Sequence, residues 1–263
     1  MKVELVVKVG GAVITDKSAP AFFNSKQAEK LASEFLPFID QKMVIIHGTG
    51  MIGKPPAVKY GFHRTGVIAK EGQATALKIK KDILGLNDRF IQVMNRASIP
   101  TIRFDISRYY DSVVDDFNQQ LIKDNCFKTF KENKLPVLHG DMIRLADDSH
   151  QVISSDLITA ILARILRPRY VIFLTNVDGV YLNKREMQKG NYMRSITSKE
   201  LNEMEFLGSD ELDVSGGMRS KLKYAIEASK YCERCFIGNG KKVGILNEML
   251  LNAKGTQVSI EDQ

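Results

Sequence analysis

Four short segments of the chain place glycines beside polar or basic residues in a way that suits phosphate chemistry. In chain order they are Lys8-Val-Gly-Gly11, His47-Gly-Thr-Gly-Met-Ile-Gly53, Thr175-Asn-Val-Asp-Gly179 and Ser215-Gly-Gly-Met-Arg-Ser-Lys221. Glycine allows the backbone to approach a ligand closely and to direct its N–H groups at phosphate oxygens. Lysine supplies the positive charge that stabilises a phosphoryl group during transfer. Two segments lie before residue 54 and two beyond residue 170, which predicts two halves that bind the two partners of a phosphoryl transfer.

The elements that must position these segments alternate between strand-like and helical patterns. Apolar runs typical of buried strands cover residues 3–9, 43–47, 135–139 and 170–175. The alternation predicts an α/β fold, a three-layer αβα sandwich with a mainly parallel central sheet. Ligands in such folds bind beyond the carboxyl ends of the strands, and most of the glycine segments fall there.

Helices are predicted between these strands. Asn24 and Gln27 form a capping-box-like start for a first helix. Apolar residues recur at seven-residue spacing over residues 70–96, which predicts a long helix that Gly85 can break in two. Further helices are expected over residues 117–133, 156–166 and 218–231, and small hairpins and loops over the polar, glycine-broken residues 183–212.

Composition narrows the class of protein. The 263 residues carry a net charge of +7, but the lysines are spread along helical stretches, which fits a small anionic substrate better than nucleic acid. No apolar run approaches the roughly 18 residues that a membrane span needs, and the chain begins with a strand, so we expect a cytoplasmic protein without membrane contact. Cys232 and Cys235 form an isolated C-x-x-C pair, which favours partly buried thiols over a zinc or redox site.

The series of motifs resembles the amino acid kinase superfamily, and most closely its isopentenyl phosphate kinase and fosfomycin kinase branch. The resemblance covers nearly the whole chain. It rests on Lys8-Val-Gly-Gly11 with Lys17, residues 48–53, Pro136-Val-Leu-His-Gly-Asp141, Ile153-Ser-Ser-Asp156, Leu174-Thr-Asn-Val-Asp-Gly-Val-Tyr181, Gly216-Gly-Met218 with Lys221, and Gly255-Thr256. It implies a single domain over residues 1–263, with an acceptor-substrate lobe over about 1–165 and a nucleotide lobe over about 166–263.

This chain departs from the resembled kinases at three positions. Thr49 stands where the first loop usually has a glycine, and Asn176 where the nucleotide segment usually has an aspartate. Lys54 follows the loop at the position of a histidine that contacts the substrate's phosphate or phosphonate in the resembled kinases. Lysine can still donate to an anionic oxygen, but as a flexible and fully charged donor. A phosphate-bearing acceptor is therefore still expected, and the substitution at Lys54 bears on which compound it is.

The resemblance implies a catalytic set of four residues, Lys8, Lys17, Asp141 and Lys221. Lys8 would bind the transferred phosphoryl group. Burying a lysine at the mouth of a sheet without an anion costs free energy, so an anionic partner is expected there. Lys221 would hold the β- and γ-phosphates, with a solvated surface lysine as the alternative. Asp141 would hold Lys8 and Lys17 by charge pairing, with a turn or helix-cap residue as the alternative.

The same resemblance implies two sets of binding residues. His63 is a candidate to replace the missing histidine, with a polar loop residue as the alternative, and Asp178 can equally cap the turn before Gly179. The four histidines of the chain are not spaced as metal ligands, so no metal site formed by protein side chains is expected. The expected acceptor-substrate residues are Gly10, Gly11, Gly48, Thr49, Gly50, Gly53, Lys54, His63 and Ser155. The expected nucleotide residues are Thr175, Asn176, Asp178, Gly179, Tyr181, Gly216, Gly217, Met218 and Lys221.

Three functions are compatible with these residues. The first is an isopentenyl phosphate kinase-like enzyme of isoprenoid biosynthesis that uses ATP and Mg²⁺ to phosphorylate a small phosphomonoester or phosphonate, working as a homodimer. The second is a carboxylate or carbamate kinase that forms an acyl phosphate. The third is a nucleotide-binding regulator without catalysis, against which Lys8 and Lys221 argue. An acceptor that is already an oxyanion needs no general base. The sequence offers no clear general base, which favours the first function, a kinase acting on a phosphomonoester or phosphonate.

Overall fold

The computed structural model describes residues 2–19, 22–53, 66–111, 114, 116–203 and 217–260. A large sheet lies at the centre of this described part. Its strands are β1 (Leu5–Val9), β2 (Met43–His47), β4 (Thr101–Arg103), β7 (Leu135–His139), β10 (Tyr170–Thr175), β11 (Ser195–Ile196), β12 (Arg234–Asn239) and β13 (Thr256–Val258). Smaller sheets contain β3 (Val67–Ile68), β5 (Tyr110–Asp111), β6 (Asp116–Phe117), β8 (Asp141–Arg144) and β9 (His150–Ile153).

The central sheet has the order β11-β13-β12-β10-β1-β2-β7-β4. Its neighbouring strands run parallel except β12 and β13, which are antiparallel. The prediction of a mainly parallel sheet is therefore confirmed. Strands β1, β2, β7 and β10 lie in its middle and are buried almost throughout, which explains their continuous apolar runs.

Helices cover both faces of the sheet. They are α1 (Gly11–Ile14), α2 (Ser25–Phe35), α3 (Gln73–Arg96), α4 (Gln119–Lys131), α5 (Ser155–Leu166), α6 (Lys184–Lys189), α7 (Ser198–Glu203), α8 (Gly217–Ser229) and α9 (Ile245–Asn252). Helix α2 packs against α3 and α9, whereas α5 packs against α4 and α8. Two helical layers with the sheet between them form the predicted αβα sandwich.

Local signals placed most helices correctly. The side chain of Asn24 accepts a hydrogen bond from the backbone N–H of Gln27 and caps α2 as predicted. Helix α3, however, continues unbroken through Gly85. The buried stripe that includes Ala76, Ile83 and Phe90 continues on both sides of this glycine, so packing against the sheet outweighs the local preference.

Two parts of the fold differ from the sequence-based expectation. Residues 183–212 were expected to form hairpins and loops, but their described part contains α6, α7 and β11. The antiparallel pair β8 and β9, which follows β7 at the carboxyl edge of the sheet, was not predicted as a hairpin. Among the described helices, none combines the length and apolar character needed to cross a membrane.

Candidate active site

Lys8 is the charged residue within the buried strand β1. Its neighbours across the sheet are Phe173 on β10 and Ile46 on β2, and the residue is only 3% exposed. Its Nζ lies 2.7 Å from Oδ1 of Asp156, and Nζ of Lys221 lies 3.0 Å from the same oxygen. These three residues form one ionic group, here called the Lys8–Asp156–Lys221 cluster.

Helix starts bring the other two members to Lys8. The hydroxyl of Ser154 accepts a hydrogen bond from the N–H of Leu157 and caps α5, so Asp156 lies in the first turn of that helix. A carboxylate is favoured there because the N-terminal end of a helix is positive. Lys221 extends from the neighbouring helix α8, with its Nζ 5.9 Å from the ring centre of Phe173.

Burial and mutual attraction together set the charges of the cluster. Burial lowers the pKa of Lys8, and the Asp156 carboxylate opposes this shift. Burial alone would raise the pKa of Asp156, but the Lys221 and Lys8 ammonium groups hold it well below its usual range. Two ammonium groups thus share one carboxylate in a site from which water is largely excluded. Such an excess of positive charge is suited to binding an anionic group.

The glycine segments of the first half meet beside this cluster. Gly11 touches Gly50 so closely that a Cβ on Gly11 would collide with the backbone nitrogen of Gly50. A Cβ on Gly48 would lie 2.6 Å from the backbone nitrogen of Gly11 and 3.4 Å from Oγ of Ser155. Gly50 also has a φ of +51°, which glycine adopts without strain. Glycine is therefore required where these two loops approach each other.

The expected pairing of Asp141 with Lys8 and Lys17 is wrong. Asp141 begins β8 and its Oδ1 lies 3.3 Å from Nζ of Lys80, while Lys8 pairs with Asp156 instead. Lys17 is exposed in the turn before α2 and belongs to neither ion-pair group. The physical reason is that α5 lies across β1 and β2 and directs its first turn at Lys8, whereas β8 leads away toward α3.

Asp156 is the residue that sequence reasoning missed. It belongs to the motif Ile153-Ser-Ser-Asp156, but the sequence alone did not predict a function for it. A signal was present, because two serines precede an aspartate at the start of an apolar helix and indicate a capped helix beginning. That signal locates the carboxylate at a helix N-terminus, but only the packing of α5 on the sheet shows that two lysines face it.

Five of the expected nucleotide residues, between Thr175 and Tyr181, lie at or just beyond the carboxyl end of β10. The hydroxyl of Thr175 accepts a hydrogen bond from the N–H of Val177, which closes a tight turn. Asp178 pairs with Nζ of Lys242 at 2.8 Å and accepts a hydrogen bond from the side chain of Asn239. Lys242 and Asn239 therefore hold the pKa of Asp178 below its usual range. Asp178 is thus held by the segment after β12, a contact that the sequence did not predict.

Asn176, Gly179 and Tyr181 belong to the same segment of chain. Asn176 is exposed, and a Cβ on Gly179 would lie 2.6 Å from Oγ1 of Thr256. The ring of Tyr181 stands edge-on to Tyr192, with 6.4 Å between their centres. Gly217 and Met218 begin α8, on the helix that also bears Lys221.

Other expected acceptor residues can be located only in part. Gly10 donates its N–H to the carbonyl of Leu174 and so joins the ends of β1 and β10. Thr49 and Gly53 lie at the helical turn that follows β2, where the Thr49 side chain fills the space beside Gly53. Lys54, His63 and Gly216 lie outside the described residues. Within the described residues, no group of three or more histidine, cysteine or acidic side chains is arranged to hold a metal ion.

Comparison with known proteins agrees with this geometry. The sequence pattern of the amino acid kinase family matches residues 4–239. Isopentenyl phosphate kinase of Methanocaldococcus jannaschii is 28% identical over 269 residues, which cover 98% of this chain and 99% of that protein. Isopentenyl phosphate kinase of Methanothermobacter thermautotrophicus is 25% identical over 273 residues, which cover 97% of this chain and 98% of that protein.

A solved structure extends the similarity to the fold. The Thermoplasma acidophilum isopentenyl phosphate kinase product complex superposes with a TM-score of 0.75 at 22% identity, over 97% of this chain and 100% of that one. The family pattern includes all the strands from β1 to β12 and all three members of the Lys8–Asp156–Lys221 cluster. The chain belongs to the amino acid kinase family.

Proposed function

We propose that this protein is an ATP-dependent kinase that phosphorylates a small phosphomonoester or phosphonate, with isopentenyl phosphate as the first candidate acceptor. The observation that supports this most strongly is the Lys8–Asp156–Lys221 cluster beside the interlocked glycines Gly11 and Gly50. Buried positive charge next to closely approaching glycine backbones is suited to a transferring phosphoryl group.

The proposed reaction needs little covalent chemistry from the protein. An oxygen of the acceptor's phosphate attacks the γ-phosphorus of ATP, the bond from that phosphorus to the β-bridging oxygen breaks, and ADP leaves. With isopentenyl phosphate the product is isopentenyl diphosphate. Lys8 and Lys221 stabilise the charge on the moving group, and Asp156 keeps both ammonium groups in place. The acceptor is already an oxyanion, so no general base is required.

The two halves of the chain divide the substrates in this proposal. Residues of about 1–165 bind the acceptor and residues of about 166–263 bind the nucleotide, with Asp178 and Tyr181 near the base and ribose. The nucleotide phosphates would hold the Mg²⁺, which would help to neutralise the charge on the transferring group. The full enzyme is proposed to act as a homodimer in the cytoplasm.

An acceptor screen tests the proposed function. The purified protein is supplied with ATP and Mg²⁺, and ADP release is measured with isopentenyl phosphate, fosfomycin, N-acetylglutamate, glutamate and carbamate as acceptors. We expect turnover with a phosphomonoester or phosphonate and none with the carboxylates. Turnover with a carboxylate or carbamate alone would contradict the proposal, and so would the absence of acceptor-dependent ADP release with any phosphorylated compound.

Lys54 gives a sharper test of the acceptor. This residue follows the glycine loop at the position where the resembled kinases carry histidine. Lys54→Ala should raise the KM for the acceptor far more than the KM for ATP. Lys54→His should raise activity on isopentenyl phosphate if the rest of the pocket is built for that compound. Equal losses toward both substrates would place Lys54 outside the acceptor pocket, and a Lys54→His protein without activity on isopentenyl phosphate would indicate a different natural acceptor.

A further inference from the structure

Two buried histidines lie directly beneath the acceptor loops. His47 ends β2 and His139 ends β7, and the two residues are register partners on adjacent strands. Each is followed by a glycine, Gly48 or Gly140, and each directs Nδ1 at the carbonyl oxygen of that glycine, at 3.1 Å and 2.9 Å. A carbonyl oxygen only accepts hydrogen bonds, so Nδ1 of both rings carries a proton.

The remaining nitrogen of His47 shows that this ring is neutral. Nε2 of His47 lies 2.9 Å from the side-chain nitrogen of Asn87 on α3, which donates to it. Since an accepting nitrogen has no proton, His47 holds a single proton on Nδ1. Complete burial, together with the neighbouring His139, lowers the pKa of His47 to about 3, in agreement with this neutral form.

The remaining nitrogen of His139 faces a carboxylate. Nε2 of His139 lies 3.5 Å from Oδ1 of Asp105, which Nε of Arg103 also approaches at 3.3 Å. Within the described part of the chain, neither the histidine nitrogen nor this oxygen has a hydrogen-bond partner. A neutral ring with its proton on Nδ1 would direct a lone pair at a negative oxygen. A neutral ring with its proton on Nε2 would release the carbonyl of Gly140. Only the doubly protonated ring satisfies both contacts.

We propose that His139 is a positively charged positioning residue, held as an imidazolium by Asp105, which fixes the Gly140–Asp141 peptide at the edge of the acceptor site. Gly140 connects this ring to the site, because a Cβ there would lie 3.3 Å from Cγ2 of Thr49 and 3.5 Å from the backbone nitrogen of Ser155. His47 fixes the Gly48–Thr49 peptide in the same way. Since a trans peptide directs its C=O and N–H in opposite directions, the N–H of Thr49 points away from His47.

Other charged groups near the ring are consistent with this state. Arg103 and Arg108 reach the two oxygens of Asp105 at 3.3 Å and 3.2 Å, and both arginine side chains are partly or largely exposed, so water weakens their repulsion of the ring. The nearby His139 ring holds the pKa of Asp105 below its usual range, against the effect of partial burial. The other ionisable groups that pack here are His47, Tyr109 and Cys126.

Nuclear magnetic resonance of the histidine rings tests the proposal directly. The chain has four histidines, so the ¹⁵N signals can be assigned by single substitutions. At pH 7 we expect two protonated nitrogens for His139 and a neutral ring with the proton on Nδ1 for His47. In Asp105→Asn we expect His139 to become neutral. Asp88→Asn is the matched control, because Asp88 pairs with Arg103 at 3.1 Å and makes no contact with His139.

The outcomes decide the proposal without any assay of turnover, so its failure is distinct from a failure of the proposed function. A neutral His139 at pH 7 in the wild-type protein would overturn it even if Asp105→Asn failed to fold. An imidazolium that persists in Asp105→Asn would show that Asp105 does not hold the charge. Steady-state kinetics provide a second measurement, which rests on the proposed function. Asp105→Asn should raise the acceptor KM about tenfold with little change in the ATP KM, as loss of one charge-assisted contact predicts.

Discussion

Two aspartates, Asp156 and Asp141, lie at the proposed acceptor edge of the sheet, where β1, β2 and β7 end. Both are buried and both pair with lysine, yet their surroundings differ. Asp156 shares one oxygen between Lys8 and Lys221, whose side chains are 4% and 12% exposed. Asp141 pairs with one lysine, Lys80, whose side chain is 33% exposed. Asp141 also accepts backbone N–H groups from Met142 and Ser107.

The difference lies in what each lysine can do without its aspartate. Lys80 can turn toward water, and it also donates to the carbonyl of Met142 and the hydroxyl of Ser107. The buried Lys8 side chain cannot turn toward water in this way. Without Asp156 it would face the like charge of Lys221 in a site from which water is largely excluded. Asp156 therefore organises the proposed reactive centre, while Asp141 mainly organises the start of β8. This comparison yields four predictions, given from the largest expected effect to the smallest.

Replacing Lys8 should have the largest effect. Lys8→Ala removes the cation that is proposed to meet the moving phosphoryl group, so kcat should fall by roughly a thousandfold while nucleotide binding persists. Steady-state kinetics and calorimetric titration with ATP measure the two quantities separately. The exposed Lys81→Ala serves as a control and should match the wild-type protein. A Lys8→Ala protein that kept more than about a tenth of wild-type kcat would remove Lys8 from its central role.

Replacing Asp156 should come next. Asp156→Asn preserves the size of the side chain but leaves two ammonium groups close together, so kcat should fall by about a hundredfold and the free energy of unfolding by about 3 kcal/mol. Urea unfolding measures the second quantity, and added phosphate should restore part of the lost stability by replacing the missing anion. The exposed Asp40→Asn is the control. Wild-type stability and kinetics in Asp156→Asn would show that the cluster does not depend on its carboxylate.

Replacing Lys221 should affect both binding and rate. Because Lys221 lies on α8 in the proposed nucleotide half, Lys221→Ala should raise the ATP KM and lower kcat, each by about tenfold. Lys221→Ala leaves the Lys8–Asp156 ion pair intact, so its effect on kcat should be smaller than that of Asp156→Asn. Kinetics with ATP varied at saturating acceptor would measure both constants. If the ATP KM and kcat were both unchanged, Lys221 would not belong to the site.

Replacing Asp141 should have the smallest effect. Asp141→Asn keeps an oxygen that can accept from Met142 N–H and Ser107 N–H, and Lys80 remains free to contact water. Activity should fall by less than about fivefold and stability by about 1 kcal/mol or less, as expected for a partly exposed ion pair. Side-by-side assays with Asp156→Asn provide the comparison. Losses as large as those of Asp156→Asn would mean that Asp141 takes part in the reaction, as the sequence-based interpretation first held.

Much of the fold could be predicted because its signals are local. The central strands are buried on both faces and therefore appear as uninterrupted apolar runs. Asn24 and Gln27 mark the start of α2 in the sequence, because they form its N-terminal cap. Local signals failed at Gly85, where continued packing of α3 against the sheet outweighs a single glycine. They also failed over residues 183–212, where short helices lack the long apolar stripe that makes a helix recognisable.

The sequence identified several residues of the candidate site but not which of them form ion pairs with each other. Lys8 could be identified because a lysine inside an apolar strand, followed by two glycines, is unusual in itself. Asp141 and Asp156 could not be ranked from sequence, since both begin an element near the acceptor edge. The pairing of Asp178 with Lys242 and the histidine pair under the glycine loops also join residues that are distant along the chain.

The sequence by itself determined the buried central strands, the longer helices, the order of the glycine segments and the presence of a lysine near the end of the first strand. The tertiary structure decided which charges meet. Asp156 reaches Lys8 because α5 crosses β1 and β2, and Lys221 reaches both because α8 packs against α5. Hydrogen bonds within a helix, and the spacing of buried residues along a strand or helix, involve residues close together in the chain, so they leave a pattern in the sequence. Ion pairs between elements depend on how whole layers pack, and that information exists only once the chain has folded.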